Sequence, residues 1–281
     1  MKSIQLAAYY ALIMLMLIRI SGTSSPLSKL FSTEEPVVTR PSNVIYPSLL
    51  LDHREASLQY VQQFSDRRRE YLINTYKKGT KYFSKITTVL KKYNVPQELK
   101  VLIALESGFN ANAVSSAGAK GYWQFMDEVA VEYGLKICST KTAAATAVKA
   151  VKGKVAVKVK QTDDRTNFTK STNAAARYLR DRLKNLDNDV LLVVASYNCG
   201  IGNVWEAMKK SGIANPDFWD IKKYLPAETR SYVMNFIALN VIFNNYDKFL
   251  ENNMVFNDVV IPLQQTVAQK EGMISALTLT N

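Results

Sequence analysis

The sequence predicts a mainly helical protein, and three observations indicate this. Apolar residues recur three or four positions apart in most segments, which is the spacing of one face of an α-helix. Helix start and stop signals, such as proline before an apolar run and glycine after it, separate these segments. A strand-like alternation is confined to short stretches near residues 155–159 and 259–263. The length of 281 residues and hydrophobic content of 47% are typical of one or two globular domains.

The N-terminal region differs in composition from the rest of the chain. Lys2 precedes an apolar stretch from Ala7 to Ile20, and small residues follow it. This pattern predicts a signal peptide over residues 1–22, with an uncleaved anchor that associates with a membrane as the alternative. We expect a linker rich in Ser, Thr and Pro over 23–50, a domain over 51–250 and a tail over 251–281 containing a VVIPL strand.

The first helical segments are amphipathic. Residues Leu58 to Thr75 place apolar side chains on one face and Arg67 to Arg69 on the exposed face. A separate helix is predicted from Tyr82 to Lys92.

A helix over Val95–Glu106 is apolar nearly all round, so it is predicted to be buried. Pro96 suits its first residue, and Ser107-Gly108 predicts its end. Glu106 therefore lies where core meets loop. Burial raises the pKa of a carboxylic acid, and an acid that is protonated near neutrality can donate a proton to a leaving group. The alternative is an ordinary exposed acid in the last turn.

The loop after this helix is built from small residues. Gly118 and Gly121 allow positive φ angles or close backbone approach. The segment from Tyr122 to Phe125 then provides aromatic rings and the Gln124 amide, a combination that suits a sugar with apolar faces and hydroxyl edges. The alternative places Trp123 and Phe125 in the core and Gln124 on the surface.

Helix signals continue to the end of the domain. The first predicted helix is Asp127–Tyr133, with Asp127 as its N-cap, and the second is capped by Ser171 or Thr172. A third helix runs from Val190 to Tyr197 and ends at an Asn198–Gly200 turn. A fourth is capped by Asn203 and ended by Ser211-Gly212, and Pro226 begins the last one.

The stretch Lys136–Lys160 has seven lysines and no acid. Valines alternate with other residues around Lys152-Gly153, which predicts a small β-hairpin within an insertion over about 138–161. We expect a surface loop, and a basic arm that binds anionic envelope polymers is the functional hypothesis.

Several function classes are excluded by composition. His53 is the only histidine and Cys138 and Cys199 are the only cysteines, so neither a histidine-dependent triad nor a multi-histidine metal site is expected. No phosphate-binding glycine loop is present, and no cofactor is predicted. The net charge of +12 favours an anionic environment. Nucleic-acid binding is not expected, because the excess lysines concentrate in the insertion and do not interleave with aromatics.

Four segments resemble one enzyme family in order and spacing. These are Glu106-Ser107, the run from Gly118 through Gly121 to Gln124, Ala195–Gly200 and Leu225–Val233. They resemble the catalytic domain of soluble lytic transglycosylases, and the nearest subgroup is the membrane-bound lytic murein transglycosylase D type. The resemblance covers about Leu58 to Phe243, apart from the insertion, and four motifs in order are a specific signal.

The resemblance implies a lysozyme-like fold of the goose-type lysozyme and transglycosylase class. It also implies cleavage of the bond between N-acetylmuramic acid and N-acetylglucosamine in peptidoglycan, in the periplasm or cell envelope. Glu106 would protonate the glycosidic oxygen and then accept the proton of the muramoyl C6 hydroxyl. That hydroxyl attacks C1 and leaves a 1,6-anhydro end. Substrate-binding roles carried over from the family, or suggested beside its motifs, fall on Ser107, Tyr122, Gln124, Tyr197, Asn198, Glu228 and Tyr232.

Some of these residues have structural alternatives. Ser107 could simply end its helix, Glu228 could pair with Arg230, and Tyr232 could pack in the core. Tyr122 departs from the family pattern of Leu or Met. Two other functions remain open: a muramidase that uses water, which needs a second carboxylate, and a non-catalytic glycan-binding envelope protein.

Overall fold

The computed structural model describes residues 37–138 and 162–262. A compact helical unit spans Asn43–Phe256. A separate unit includes strand β1 (Val37–Arg40), which pairs antiparallel with strand β2 (Val259–Pro262), with Val37 opposite Pro262 and Arg40 opposite Val259. The strand expected from VVIPL is therefore present. The hairpin predicted over 138–161 and the segment predicted as signal peptide or anchor lie outside the described residues.

The helical unit confirms the mainly α class. Its α-helices are α1 Arg54–Arg67, α2 Arg69–Lys92, α3 Leu102–Ser107, α4 Asp127–Glu132, α5 Phe168–Asn185, α6 Val190–Cys199, α7 Ile201–Ser211, α8 Phe218–Ile221, α9 Ala227–Asn244 and α10 Tyr246–Leu250. Short 3₁₀ helices occupy Ser48–His53, Gln97–Val101, Asp164–Thr166 and Lys222–Tyr224.

The first two helices divide at a different place from the prediction. The chain breaks at Arg68, and α2 then continues without interruption through the region where the sequence suggested two helices. Gly79 lies within α2, and the ring of Phe83 packs directly over its backbone, where a Cβ would lie 2.2 Å from Cζ of that ring. Arg69 is not on the exposed face as expected. Its guanidinium donates to the carbonyls of Phe249 and Leu250 and lies 4.8 Å from the Phe249 ring centroid.

The apolar helix is two elements rather than one. Residues Gln97–Val101 form a 3₁₀ turn with Pro96 as its N-cap, and α3 follows from Leu102 to Ser107. The prediction of burial is confirmed, since the side chains from Val101 to Ala104 are buried. The predicted stop is also confirmed, because Gly108 caps α3 in the left-handed conformation with φ of 55°.

Three N-cap predictions were wrong by one to five residues. Asp127 is the first residue of α4, after Met126, and its carboxylate binds Arg165 instead of the helix N-terminus. Asn167 caps α5, so Ser171 and Thr172 lie inside that helix. Asn203 lies inside α7, which begins after Gly200. Of the three observed caps, only Asn167 accepts a hydrogen bond with its side chain, from the amide of Lys170, whereas Met126 and Gly200 precede their helices without a side-chain cap.

Helices α6 and α9 form the centre of the unit. Every residue of α6 from Val190 to Ser196 is buried, and α9 is buried over most of Val233–Ile242. Asp189 caps α6 through the amide of Leu192, and Pro226 precedes α9 as predicted. These two helices carry Tyr197 and Tyr232 towards the end of α3. Among the described residues, no helix is both long and apolar enough to cross a bilayer.

Candidate active site

Glu106 lies in the last turn of α3, where the buried helix meets the loop. The residue is half-buried, with part of its surface open to solvent and its carboxyl group surrounded by protein. Burial raises the pKa of Glu106 from 4.5 to about 7. A hydrogen bond from Tyr232 opposes this rise, and the negative charge of Glu228 adds to it. The sequence-based expectation of a buried, protonatable acid is therefore matched by the geometry.

Tyr232 contacts the acid directly. Its hydroxyl donates to Oε1 of Glu106 over 2.5 Å. Burial raises the pKa of Tyr232 well above its usual value, and the adjacent Glu106 charge raises it further, so the phenol is a donor throughout the neutral range. Because Tyr232 occupies Oε1, the transferable proton of Glu106 belongs on Oε2.

Tyr197, near the end of α6, is the second phenol of the site. Its hydroxyl donates to the carbonyl of Trp123 over 2.7 Å, rather than to the acid. It is nevertheless close, since burial and the charge of Glu106 both raise its pKa. Tyr232, which the sequence predicted as a substrate-binding or core residue, is therefore the phenol that bonds to the acid.

Ser107 joins the end of α3 to the aromatic segment. Its hydroxyl donates to the carbonyl of Tyr122 over 2.7 Å and approaches the carbonyl of Ile103 at 3.2 Å. This geometry holds the loop against the helix that carries Glu106. Both of these bonds go to backbone carbonyls, and Ser107 contributes nothing to the pKa shift of Glu106.

Gln124 stabilises the loop from within. Gln124 has a backbone φ of 50°. Its side-chain amide nitrogen donates to the carbonyls of Ala113 and Gly121 at 3.0 and 2.9 Å. These bonds use both amide hydrogens, so Oε1 is the group that can accept from a ligand.

Gly118 and Gly121 each favour glycine, but for different physical reasons. Gly118 has a φ of 91° and open space around it, so only its backbone conformation favours glycine. Gly121 has a φ of 84°, and a Cβ there would lie 2.1 Å from the carbonyl oxygen of Arg165. The loop therefore rests directly on the backbone of the Asp163–Arg165 segment.

A buried charge network fixes that segment. The guanidinium of Arg165 binds Asp163 at 2.8 Å and Asp127 at 2.5 Å, and Lys120 reaches Asp163 at 3.2 Å. Arg165 also donates to the carbonyl of Phe125 at 3.2 Å. The network joins both ends of the aromatic segment to the start of α5, and sequence reasoning did not identify it as part of the site.

The aromatic residues after Gly121 are mostly core. Trp123 and Phe125 are buried, and the indole of Trp123 donates to the hydroxyl of Thr172 at 3.1 Å. Tyr122 packs edge-on to Phe168 at 5.4 Å and against Tyr82 at 5.8 Å. Burial and the adjacent Tyr82 raise the pKa of Tyr122 to about 12. These rings support the shape of the loop.

Asn198 and Glu228 lie at the junction of α6 and α9. The hydroxyl of Thr229 donates to Oδ1 of Asn198 over 2.7 Å, which connects the two helices beside Tyr197. Glu228 is exposed, and among the described residues it forms no ion pair, so the expected pairing with Arg230 is absent. Its charge faces Glu106 closely enough to raise the pKa of that acid.

The described residues contain no group of three or more His, Cys, Asp or Glu side chains that could hold a metal ion. Cys138 and Cys199, both within the described ranges, do not form a disulfide with each other. The chemistry available at the site is therefore that of one buried acid with two nearby phenols.

Comparison with known proteins gives a family match. The model of the transglycosylase SLT domain matches residues 83–219, which include three of the four motifs. The membrane-bound lytic murein transglycosylase D of Escherichia coli strain K12 is 32% identical over 185 residues, or 65% of this chain and 36% of that protein. The chain thus spans about a third of the length of this curated relative.

Two solved structures share this similarity at lower identity. The 70 kDa soluble lytic transglycosylase of Escherichia coli is 18% identical, with a TM-score of 0.43, and the match covers 71% of this chain and 32% of that one. An inactive mutant of the lytic transglycosylase Slt of Pseudomonas aeruginosa is 20% identical, with a TM-score of 0.42, and the match covers 60% and 24%.

Proposed function

Because residues 83–219 of this chain belong to the transglycosylase SLT domain family, we propose that the protein is a peptidoglycan lytic transglycosylase. It would cleave the β-1,4 bond between N-acetylmuramic acid and N-acetylglucosamine and leave 1,6-anhydro ends. Glycan strands of peptidoglycan are the proposed substrate, and no cofactor is required. The membrane-bound lytic murein transglycosylase D, to which the chain is similar, supports this choice.

Glu106 performs both proton transfers in the proposed reaction. Its protonated Oε2 donates to the glycosidic oxygen, and the bond from C1 to the leaving sugar breaks. The 2-acetamido carbonyl of the muramoyl residue stabilises the positive charge that develops at C1. The Glu106 carboxylate then accepts the proton of the C6 hydroxyl, whose oxygen attacks C1. The acid returns to its starting state, and no water is consumed.

One observation carries the proposal: burial raises the pKa of Glu106 to about 7. A group with this pKa is protonated and ionised in comparable amounts near neutrality. It can therefore act as an acid in the first step and as a base in the second. Tyr232 holds Oε1 through both steps, which keeps the same oxygen aimed at the substrate.

Glu228 favours a second candidate function, a muramidase. An inverting hydrolase needs a second carboxylate that activates water on the opposite face of the sugar. Glu228 is the other acid whose charge acts on Glu106, and its exposed side chain could hold such a water. Transglycosylation is preferred because a single acid is sufficient when the substrate supplies its own hydroxyl.

Product analysis separates the two reactions. Purified sacculi digested by the wild-type protein are separated by liquid chromatography and identified by mass spectrometry. Transglycosylation gives anhydro ends, whereas hydrolysis gives reducing ends heavier by one water molecule. Replacement of Glu106 by Gln should lower the rate by about a hundredfold to ten-thousandfold. Wild-type digestion by that variant would reject the role of Glu106, and reducing ends alone would favour the muramidase.

The proposed substrate implies a location. Peptidoglycan lies in the cell envelope, so we propose that the protein acts there, on the periplasmic side of the inner membrane. Binding of anionic envelope polymers by Lys136–Lys160 and membrane association through the N-terminal segment stay predictions, since most of the first stretch and all of the second lie outside the described residues.

A further inference from the structure

One face of helix α2 carries lysines as its only charged groups. Between Tyr71 and Lys92 the sequence has six lysines and neither an acid nor an arginine. At about 100° of rotation per residue, these lysines fall within about 140° of the helix circumference. They form a basic ridge, which consists of Lys77, Lys78, Lys81, Lys85, Lys91 and Lys92.

The basic ridge faces away from the protein. All six lysines are exposed, whereas the opposite side of α2 is buried at Leu72, Ile86 and Leu90. At about 1.5 Å per residue, the ridge is about 22 Å long from Lys77 to Lys92. Because lysine side chains are long and their ammonium groups stay in water, all six can reach one surface at the same time.

The positive charges of the ridge have no acidic partner within the described part of the chain. No carboxylate there lies within 4.0 Å of any of the six ammonium groups. Lys77, Lys81 and Lys85 follow one another at intervals of four residues, and like charges at this spacing destabilise a helix. Helix α7 has the opposite arrangement, since Lys210 pairs with Glu206 over 2.6 Å. The ridge therefore weakens α2, and an external anion would relieve the repulsion.

The exposed face of α2 offers charge without apolar contact. From residue 72 to residue 113, all of which the structure describes, no large hydrophobic side chain is exposed. Single-stranded nucleic acids bind to aromatic rings on which their bases stack, and protein partners bind through buried apolar or aromatic anchors. Helix α2, which is described throughout, provides neither on this face.

The shape of the ridge distinguishes the remaining anionic partners. The exposed side of a helix is convex, so an extended polymer that crosses it meets only a few of the lysines. A planar surface that lies along the helix meets all six. An anionic lipid bilayer is such a surface, and clusters of about four to eight basic residues on an amphipathic helix are typical of proteins that bind it.

We propose that the basic ridge docks on the surface of a bilayer that contains anionic phospholipids. Each lysine near a negatively charged bilayer strengthens binding by about fivefold, because its ammonium group attracts the headgroup phosphates. The contact is electrostatic and reversible, and it does not depend on the N-terminal segment or on the proposed reaction.

Docking of the ridge would also position the candidate active site. Tyr82, on the same helix, stacks on Phe109 with ring centroids 5.4 Å apart, and Phe109 lies three residues after Glu106. Helix α2 is thus packed against the segment that carries the acid. A protein docked through the ridge therefore holds Glu106 at a fixed height above the lipid.

Vesicle binding of the full chain tests the proposal. Sedimentation gives the partition coefficient with vesicles of phosphatidylglycerol mixed with phosphatidylcholine, and with vesicles of phosphatidylcholine alone. The ridge variant combines Lys77→Gln, Lys81→Gln and Lys85→Gln. A second variant replaces the same three residues by Arg, which keeps the positive charge.

The matched control removes the same charge elsewhere on the surface. It combines Lys184→Gln, Lys209→Gln and Lys223→Gln, which are exposed lysines outside the ridge. The ridge variant should unfold at or above the wild-type temperature, because its loss of charge relieves repulsion within α2. Weak binding by that variant would then not result from unfolding.

The ridge variant should bind phosphatidylglycerol vesicles about a hundredfold more weakly than the wild type in 0.1 M salt, since it lacks three lysines that each contribute about fivefold. The control should lose less than about threefold, because charges farther from the lipid than the Debye length of about 10 Å are screened. The arginine variant should bind as the wild type does. In 1 M salt the Debye length falls to about 3 Å, and wild-type binding should be lost.

Three results would overturn the proposal. Equal losses by the ridge variant and the control would show that only the net charge matters. Equal wild-type binding to both kinds of vesicle would show that the anionic headgroup is not recognised. Wild-type binding to soluble polyphosphate, without binding to anionic vesicles, would assign the ridge to a polymer.

Chemical acetylation of lysines, read by mass spectrometry, identifies the face that touches the lipid. On wild-type protein bound to phosphatidylglycerol vesicles, Lys77, Lys81 and Lys85 should be protected from the reagent. Lys184 and Lys209 should react as they do without vesicles. Equal reactivity of the ridge lysines with and without bound vesicles would overturn the proposal, whether or not the protein cleaves peptidoglycan.

Discussion

Replacement of Tyr232 by Phe tests how the site sets the proton affinity of Glu106. The substitution removes the hydroxyl that donates to Oε1 over 2.5 Å and leaves the ring in its packed position. A hydrogen bond to a charged group contributes about 1.5–3 kcal/mol, and 1.36 kcal/mol corresponds to one pKa unit. Loss of this bond destabilises the carboxylate, so the pKa of Glu106 should rise from about 7 to about 8 or 9.

The assay is the pH dependence of kcat/KM on purified sacculi. This quantity reports the ionisation of the free enzyme, and the first step requires a protonated Glu106. Activity of the wild type should fall as pH rises through about 7. The descending limb of the variant should lie about one to two pH units higher. The unfolding temperature of the variant at pH 5 should be measured beside the wild type to confirm that the fold is retained.

Two results would refute this reasoning. A descending limb at the same pH in both proteins would show that Tyr232 does not control the acid. A limb displaced to lower pH would show that the phenol stabilises the protonated form. Replacement of Tyr197 by Phe provides the matched control, because its hydroxyl binds the Trp123 carbonyl rather than the acid.

Three further predictions concern stability. Gly121→Ala should destabilise the fold by more than about 2 kcal/mol and Gly118→Ala by about 1 kcal/mol in urea denaturation, because only the first Cβ meets a backbone oxygen; equal losses would contradict the close approach. Glu106→Gln should be more stable than wild type at pH 8 by about 1–2 kcal/mol, because the raised pKa of Glu106 makes wild-type stability fall as pH rises from 4.5 to about 7. An advantage of the variant at pH 4 as large as at pH 8 would refute this. Burial raises the pKa of Asp163, but hydrogen bonds from Arg165 and Lys120 prevail and lower it to about 2. Folding stability that is present above pH 4 should therefore be lost as pH falls towards 2. Arg165→Met should abolish most of that dependence in acid titrations followed by circular dichroism.

The sequence predicted the acid and its setting because both depend on local pattern. An apolar run ending in Glu106-Ser107-Gly108 defines a buried helix with a stop, and the structure has both. The glycines of the following loop were predicted for the same reason, since positive φ is a local property. The start of α9 after Pro226 also follows from a local rule.

Contacts between distant segments could not be predicted in this way. Tyr232 reaches Glu106 across 126 residues of sequence, and nothing in the local pattern distinguishes it from Tyr197. The network around Arg165 likewise joins residues about 40 positions apart, and the sequence predicted Asp127 only as a helix cap. Amphipathic patterns placed Arg69 on the exposed face, but α10 packs there and covers it. Such pairings depend on how the helices pack.

The most direct test of the central claim is a titration of the Glu106 carboxyl carbon by nuclear magnetic resonance, with selectively labelled glutamate and the Glu106→Gln variant to assign the signal. We predict a midpoint near pH 7, well above the 4.5 of an unperturbed glutamate. A midpoint at or below 4.5 would show that the site stabilises the carboxylate, and Glu106 could then not supply a proton at neutral pH.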